Sequence, residues 1–339
     1  MAPLSRLVVP CAAAALAWGA CARRQPVPAP PPPAATRPSP FPVGREAITE
    51  PPEGEARHLR ALRQVTLDGV QNSEPAPSPD GRWLAVVHVP ERDAGPSVVI
   101  LDAQGRNRRA LSPPGWASVS PVWLPGDGGR VLFSSRDGAD GGPTLDVWER
   151  APGGEPPARR LALPGDEAEL SWNPAAGLLF TATVDGEGDV YRVPPDGGAP
   201  LRLTRGGGPS GSAAATPDGR FVVYRTFQDG GAHAELFIVS AEGGTPRQLT
   251  ALGVTAWSPA MHPSGRRVVF SADLRPHARA PGQNFDLYQL DLETGALERV
   301  TFTEGPDTLP AFTADGRTLY WTSGRQGGSN QVFAAEWVD

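Results

Sequence analysis

The segment "ATPDGRFVVY", residues 215–224, places a tight turn directly before an apolar run of strand-forming residues. Close copies stand at residues 77–87, "PSPDGRWLAVV", and at residues 313–321, "TADGRTLYW". In such a turn proline fixes φ, aspartate bonds back to the backbone, and glycine supplies a positive φ. The copies predict a recurring β-hairpin and not a calcium loop, which would need further oxygen ligands at alternate positions.

The hairpin recurs along most of the chain. Its turn glycines are Gly81, Gly129, Gly177, Gly219, Gly265 and Gly316, which are 48, 48, 42, 46 and 51 residues apart. After each turn comes an apolar run, then a polar loop, then a second run rich in aromatic and β-branched residues. A period of this length is typical of propeller blades, and it explains much of the 40 Gly and 40 Pro in 339 residues.

A second signature marks the junctions between units, where an apolar residue is followed by Thr or a small residue and then by Gly. We assign it to the outer strand of each unit. Its first copy lies in Leu62–Leu67, before the first turn, whereas the last unit, residues 306–339, holds only three strands. The sequence therefore predicts an all-β, six-bladed β-propeller with four antiparallel strands per blade. The N-terminal strand completes the C-terminal blade, which leaves no open edge.

The N-terminus has the features of a secretory signal over residues 1–22, with Arg6 before an apolar run that ends at Trp18. Cys21 allows two interpretations: the lipid-modified first residue of a bacterial lipoprotein, or part of a plain cleavage site. Residues 23–58 are rich in proline and predict an extended tether. We expect the propeller to span residues 59–339.

These repeats resemble the β-propeller repeats of TolB-like periplasmic proteins. The resemblance rests on "SPDGR" at 78–82, "TPDGR" at 216–220 and "NPAAG" at 173–177, with following strands such as "GDVY" at 188–191 and "NFDLY" at 284–288. It implies a propeller in the bacterial envelope that binds other proteins. TolB itself has a folded α/β domain before its propeller, where this sequence has the proline-rich stretch, so the resemblance is to the propeller alone.

No catalytic constellation stands out in the sequence. A Gly-x-Ser-x-Gly nucleophile motif is lacking, and both cysteines, Cys11 and Cys21, lie at the N-terminus. Of the five histidines, only His233 and His277 fall in neighbouring loops on one face, and two loop histidines are more often solvated than metal-bound. We predict no metal and no cofactor, and we keep this pair only as candidate ligand-binding residues.

Two further groups are candidates for binding. Trp116 and Trp257 lie outside the repeated aromatic column, where the chain approaches the channel, although ordinary blade packing would also explain them. Alternation along the inner strands predicts a polar funnel that carries four carboxylates, and a water-filled channel would need the same lining. The four are Glu74, Glu167, Glu169 and Asp307.

The net charge of −6 and the lack of a basic run argue against nucleic acid as a partner. Taken together, the patterns favour a non-enzymatic, monomeric envelope lipoprotein that binds a protein or a peptidoglycan-associated partner. We expect it at the outer membrane, or secreted into the periplasm if Cys21 is not lipidated. The alternative is a lyase- or hydrolase-like propeller that acts on a glycan through its funnel.

Overall fold

The computed structural model describes residues 48–49, 51–68, 70–91, 94–126, 129–136, 144–274, 284–327 and 329–339. Their strands form six antiparallel sheets of four strands, with a fifth short strand on one of them. This confirms the predicted all-β, six-bladed propeller. Within the described residues, no helix has the length and apolar character needed to cross a membrane.

In the first three blades the strands run in chain order from the central channel to the rim. Blade 1 comprises Gln71–Pro77, Trp83–Val89, Ser97–Asp102 and Arg109–Ala110. Blade 2 comprises Ala117–Trp123, Val131–Arg136, Asp146–Arg150 and Ala158–Leu161. Blade 3 comprises Glu167–Asn173, Gly177–Ala182, Asp189–Val193 and Leu201–Arg202.

The next two blades repeat this order, and the last is completed from the N-terminus. Blade 4 comprises Ser210–Ala215, Phe221–Gln228, His233–Ser240 and Arg247–Gln248, with a short 3-10 helix at Asp229–Gly231. Blade 5 comprises Ala256–Met261, Arg267–Ala272, Asp286–Asp291 and Leu297–Arg299. Blade 6 comprises Asp307–Phe312, Thr318–Ser323, Gln331–Trp337, Leu59–Gln64 and the edge strand Ile48–Thr49.

Ring closure follows the predicted scheme. The strand Leu59–Gln64 runs antiparallel to Gln331–Trp337, so that Leu59 faces Trp337 and Gln64 faces Phe333. It begins three residues earlier than the predicted Leu62–Leu67. The side chains of Leu59 and Leu62 are fully buried in a cluster shared by blades 5 and 6. Burial of both leucines between blades is what holds the N-terminal strand in place.

Residues just before the closing strand also pack on the propeller. The 3-10 helix Glu55–Arg57 places the fully buried Glu55 carboxylate 3.2 Å from the Arg325 guanidinium. Arg325 also contacts Asp307 at 3.2 Å, and its side chain is 2 % exposed. A buried cation between two carboxylates therefore joins the N-terminal segment to the last blade.

The turns use the chemistry read from the sequence. In three blades a hydroxyl residue before the turn donates to the turn aspartate at 2.6 Å and accepts an N–H from the strand that follows. These residues are Ser78, Thr216 and Thr313. The turn glycines Gly81, Gly219 and Gly316 have φ near 70°, which only glycine adopts without strain. The repeated Asp-Gly is turn chemistry, as predicted.

The junction signature also has a hydrogen-bonding role. Each threonine hydroxyl accepts the backbone N–H at the start of a third strand, at 2.9–3.0 Å, in Thr66, Thr204, Thr250 and Thr301. Thr250 also donates to the buried Glu235 carboxylate at 2.6 Å, and that carboxylate accepts the N–H of Gly253 at 2.7 Å. In these four blades the signature therefore fastens the short outer strand to the rest of its blade.

Candidate functional site

The central channel contains a cavity of about 550 Å³ on the side of the hairpin turns. We call this cavity the funnel. All six inner strands line it, from a bulge in the middle of each strand to the turn residues at the mouth. The funnel is therefore a product of the closed ring and belongs to no single blade.

The floor of the funnel is built by one residue from each blade. At this position every inner strand shifts register against its neighbour and adopts a φ of 50–54°. We call these six residues the bulge ring: Glu74, Ser120, Glu169, Ser212, Ser258 and Leu309. A bulge with a left-handed residue re-aims a side chain, and here it is repeated around the channel axis.

The walls are mostly apolar, whereas the sequence predicted a polar funnel. Above the bulge ring stand prolines and large apolar side chains, namely Pro75, Pro121, Pro259, Pro310, Trp123, Trp172, Met261 and Phe312. Trp123, Trp172 and Phe312 pack between blades as the repeat predicts, but they line the cavity as well. The proline column lies two residues before the aromatic column, and alternation puts both on one face of the strand. This two-residue spacing is visible in the sequence and could have predicted an apolar lining.

The negative charge of Glu169 is compensated by an arginine of the neighbouring blade. Its side chain is 5 % exposed, and it accepts hydrogen bonds from Arg225 at 3.2 Å, Thr181 at 2.6 Å and the Ser212 hydroxyl at 2.8 Å. Burial alone would raise the pKa of Glu169, but the Arg225 charge and these hydrogen bonds outweigh it and hold the pKa below its ordinary value. This carboxylate is consequently ionised and paired.

Glu74 is in the opposite situation. It is half-buried in the floor and accepts the backbone N–H of Ser120 at 2.7 Å. Burial raises the pKa of Glu74 to about 7, and the negative charge of Glu169 contributes in the same direction. Among the residues that the structure describes, no Lys, Arg or His forms an ion pair with it. The funnel therefore carries one carboxyl group whose charge is uncompensated when it ionises.

The bulge ring also fastens neighbouring blades to each other. The side chain of Ser120 accepts the N–H of Glu169 at 3.0 Å, and Glu169 in turn accepts the N–H of Ser212 at 2.8 Å. Together with the hydrogen bond from the Ser120 N–H to Glu74, these bonds form a continuous chain of hydrogen bonds across blades 1 to 4. The backbone N–H of Glu74 donates to the hydroxyl of Thr322 in blade 6, at 3.2 Å.

The other two candidate carboxylates do not line the funnel. Glu167 and Asp307 are enclosed completely by protein. Asp307 accepts a hydrogen bond from the Trp321 indole at 3.0 Å in addition to its ion pair with Arg325. Alternation assigned all four carboxylates to one face, but the bulge interrupts it and separates Glu167 from Glu169.

Three of the predicted candidates, Trp116, Trp257 and His233, lie apart from the funnel. Trp116 is half-buried against Trp148, with ring centroids 4.7 Å apart, and Trp257 packs near Phe285 at 6.1 Å. His233 begins the third strand of blade 4, with its ring 3.8 Å from the Asp229 carboxylate and 3.9 Å from that of Glu235. His277 and Cys21 lie outside the described residues. In the part that the structure covers, no group of three or more His, Cys, Asp or Glu is placed to hold a metal ion.

No protein-family model matches the sequence. A putative TolB from Agrobacterium tumefaciens superimposes with a TM-score of 0.58 at 18 % identity, over 80 % of this chain and 91 % of that one. TolB from Acinetobacter baumannii gives 0.53 at 17 % identity, over 79 % of this chain and 63 % of that one. An oligogalacturonate lyase from Vibrio parahaemolyticus gives 0.51 at 10 % identity, over 81 % and 93 %. At such identities the likeness is one of fold, and the fold of this chain is a TolB-like β-propeller.

Proposed function

We propose that this protein is a non-enzymatic binding module of the bacterial cell envelope that holds a partner protein at the funnel. The observation that carries the proposal is the funnel itself, whose volume of about 550 Å³ lies in the range of roughly 300–1,000 Å³ found for small-molecule pockets and therefore leaves room for an inserted side chain. Its lining combines prolines and aromatic rings with a smaller number of polar groups, a composition that suits an inserted protein segment.

The site can be tested by photo-crosslinking in intact envelopes. A photoreactive amino acid placed at Ala314, which lines the mouth and is exposed, should capture a partner protein. The same amino acid at Leu201, exposed on the short outer strand of blade 3, is the matched control and should capture little. Equal capture at the two positions, or none at Ala314, would contradict a partner held at the funnel.

The envelope location is a proposal that rests on the signal-like residues 1–22 and on the likeness to TolB proteins. We propose that Cys21 carries the lipid, that the proline-rich residues hold the propeller off the outer membrane, and that the protein is a monomer. Stable anchoring needs more than one acyl chain, which lipoprotein processing provides. Cys21→Ser should move the protein from the membrane to the soluble periplasmic fraction with an unchanged melting temperature. A wild-type protein that is already soluble would contradict the anchor.

One observation favours the enzymatic alternative. A carboxyl group with a pKa of about 7, as Glu74 has, suits general acid–base catalysis at neutral pH. A lyase acting on an oligosaccharide of uronic acids would remove the proton next to the sugar carboxylate and expel the glycosidic oxygen, and the unsaturated product would absorb in the ultraviolet. Formation of this product by the wild type, and its loss in Glu74→Gln, would replace the binding role with a catalytic one.

A further inference from the structure

The floor of the funnel has an unbalanced charge. Glu169 is paired with Arg225, whereas Glu74 meets no cation in the described part of the chain. The remaining bulge ring residues are Ser120, Ser212, Ser258 and Leu309, which carry no charge. A ligand that reaches the floor therefore meets one carboxylate that has no cationic partner among the residues that the structure describes.

The walls above this carboxylate exclude water from whatever fills them. Pro75 and Pro121 rise from the floor beside Glu74, and Trp123 and Phe312 stand nearer the mouth. A side chain that descends the funnel must be apolar along its stem to pack against these residues. A polar end of such a side chain then lies at the floor, beside Glu74.

We infer that the funnel takes a protein segment that inserts a cationic side chain on an aliphatic stem, a lysine or an arginine, with its charge on Glu74. This inference rests on the proposed binding function and specifies the chemistry of the partner. Charge complementarity between a lone carboxylate and a cation is worth more in a site that excludes water. Removing either charge leaves the other buried without a partner.

Binding of a cation should depend on pH in a defined direction. In the described part of the chain, the charged groups around Glu74 are Glu169 on the inner strand of blade 3 and Arg225 on the second strand of blade 4, which form an ion pair with each other. Burial holds the pKa of free Glu74 at about 7, and a bound cation would lower it. The complex then holds fewer protons than the free protein. Affinity should therefore level off above about pH 8 and fall by about tenfold between pH 8 and pH 6.

The test is selection of a library of random dodecapeptides, displayed on phage, against the purified full chain at pH 8. The matched proteins are the wild type, Glu74→Gln, and Glu336→Gln as the control, since Glu336 is an exposed carboxylate on the last blade. A fourth protein, Ala314→Trp, covers the mouth of the funnel. Glu74→Gln keeps an oxygen for the Ser120 N–H, and its circular dichroism and melting temperature verify that it is folded.

We expect the wild type and Glu336→Gln to enrich peptides that share a lysine or arginine, bound about tenfold more weakly at pH 6 than at pH 8. Glu74→Gln should lose this selection and the pH dependence together. Two outcomes would overturn the inference but leave the proposed binding function standing. In the first, Ala314→Trp blocks the enriched peptides but they share no cationic residue; in the second, Ala314→Trp blocks them but they bind Glu74→Gln as well as the wild type. Enriched peptides that are all insensitive to Ala314→Trp, or no enrichment, would overturn both.

Discussion

At the scale of single residues, the buried carboxyl group of Glu167 links its surroundings to the pH dependence of stability. One of its oxygens accepts the N–H of Leu163 at 3.1 Å, and the other has no hydrogen-bond partner among the described residues. Burial raises the pKa of Glu167 to about 8, and the negative charges of Asp146 and Asp166 contribute in the same direction. At neutral pH the group is therefore mostly protonated in the folded state.

Glu167→Gln should consequently alter the pH dependence of stability. The folded protein binds this proton more tightly than the unfolded chain, whose pKa is near 4.5, so the group destabilises the fold as pH rises from about 4.5 to about 8. We expect the variant to gain about 2–4 kcal/mol over the wild type between pH 4.5 and pH 9, measured by urea denaturation. Glu336→Gln, at an exposed carboxylate, is the control. A gain that does not vary with pH would contradict the raised pKa.

At the scale of single elements, the hairpin turns differ in how closely they approach the turn of the neighbouring blade. The turns at Gly81 and Gly219 share the same local sequence and nearly the same φ, 69° and 70°. A Cβ on Gly81 would meet nothing within 4 Å, whereas a Cβ on Gly219 would lie 2.6 Å from the Cβ of Ala175 in the turn of blade 3. The two glycines therefore separate backbone strain from crowding between blades.

We expect Gly81→Ala to cost about 1–2 kcal/mol of unfolding free energy, because a left-handed φ strains any residue with a Cβ. Gly219→Ala should cost about 1–3 kcal/mol more, because the turn of blade 3 must move away. Chemical denaturation of the two variants under identical conditions measures the difference. Equal costs would mean that the turns of blades 3 and 4 do not touch in solution.

The buried ion pairs of Arg325 with Glu55 and Asp307 attach a second element, the N-terminal segment, to the last blade. Arg325→Met should leave the carboxylates of Glu55 and Asp307 buried without their cation, and we expect a loss of about 3–5 kcal/mol. Arg106→Met, which breaks an ion pair between a largely exposed arginine and Asp102, is the matched control and should cost below about 1 kcal/mol. Similar melting temperatures for the two variants would show that the buried cluster does not hold the segment.

Ring closure decides stability at the scale of the whole molecule. A chain that starts after Gln64 lacks the strand that pairs with Gln331–Trp337, and it also loses the buried Leu59 and Leu62. A chain that starts at Pro51 keeps this strand and Glu55. We expect the first truncation to lower the unfolding free energy by several kcal/mol, a large part of about 5–15 kcal/mol, and the second to change it little. Calorimetry compares them, and equal melting temperatures would contradict closure by this strand.

The sequence by itself determined the blade number, the order of strands and the strand that closes the ring. These depend on local chemistry that recurs along the chain, such as the turn glycine of all six blades and the hydroxyl and aspartate of Thr216 and Asp218 in three of them, and repetition makes a weak local signal clear. The distinction between Glu74, Glu167 and Glu169 could not be read in the same way. Strict alternation treats them alike, and the bulge that separates them leaves no mark in composition.

Only the tertiary structure decided which carboxyl group stands alone. Glu169 finds Arg225 on the next blade, 56 residues further along the chain, whereas Glu74 meets the backbone of Ser120. The apolar funnel above them exists only when six inner strands surround one axis. Charge pairing and enclosure depend on distances through space between residues far apart in the chain, and a pattern of neighbours along the chain does not contain those distances.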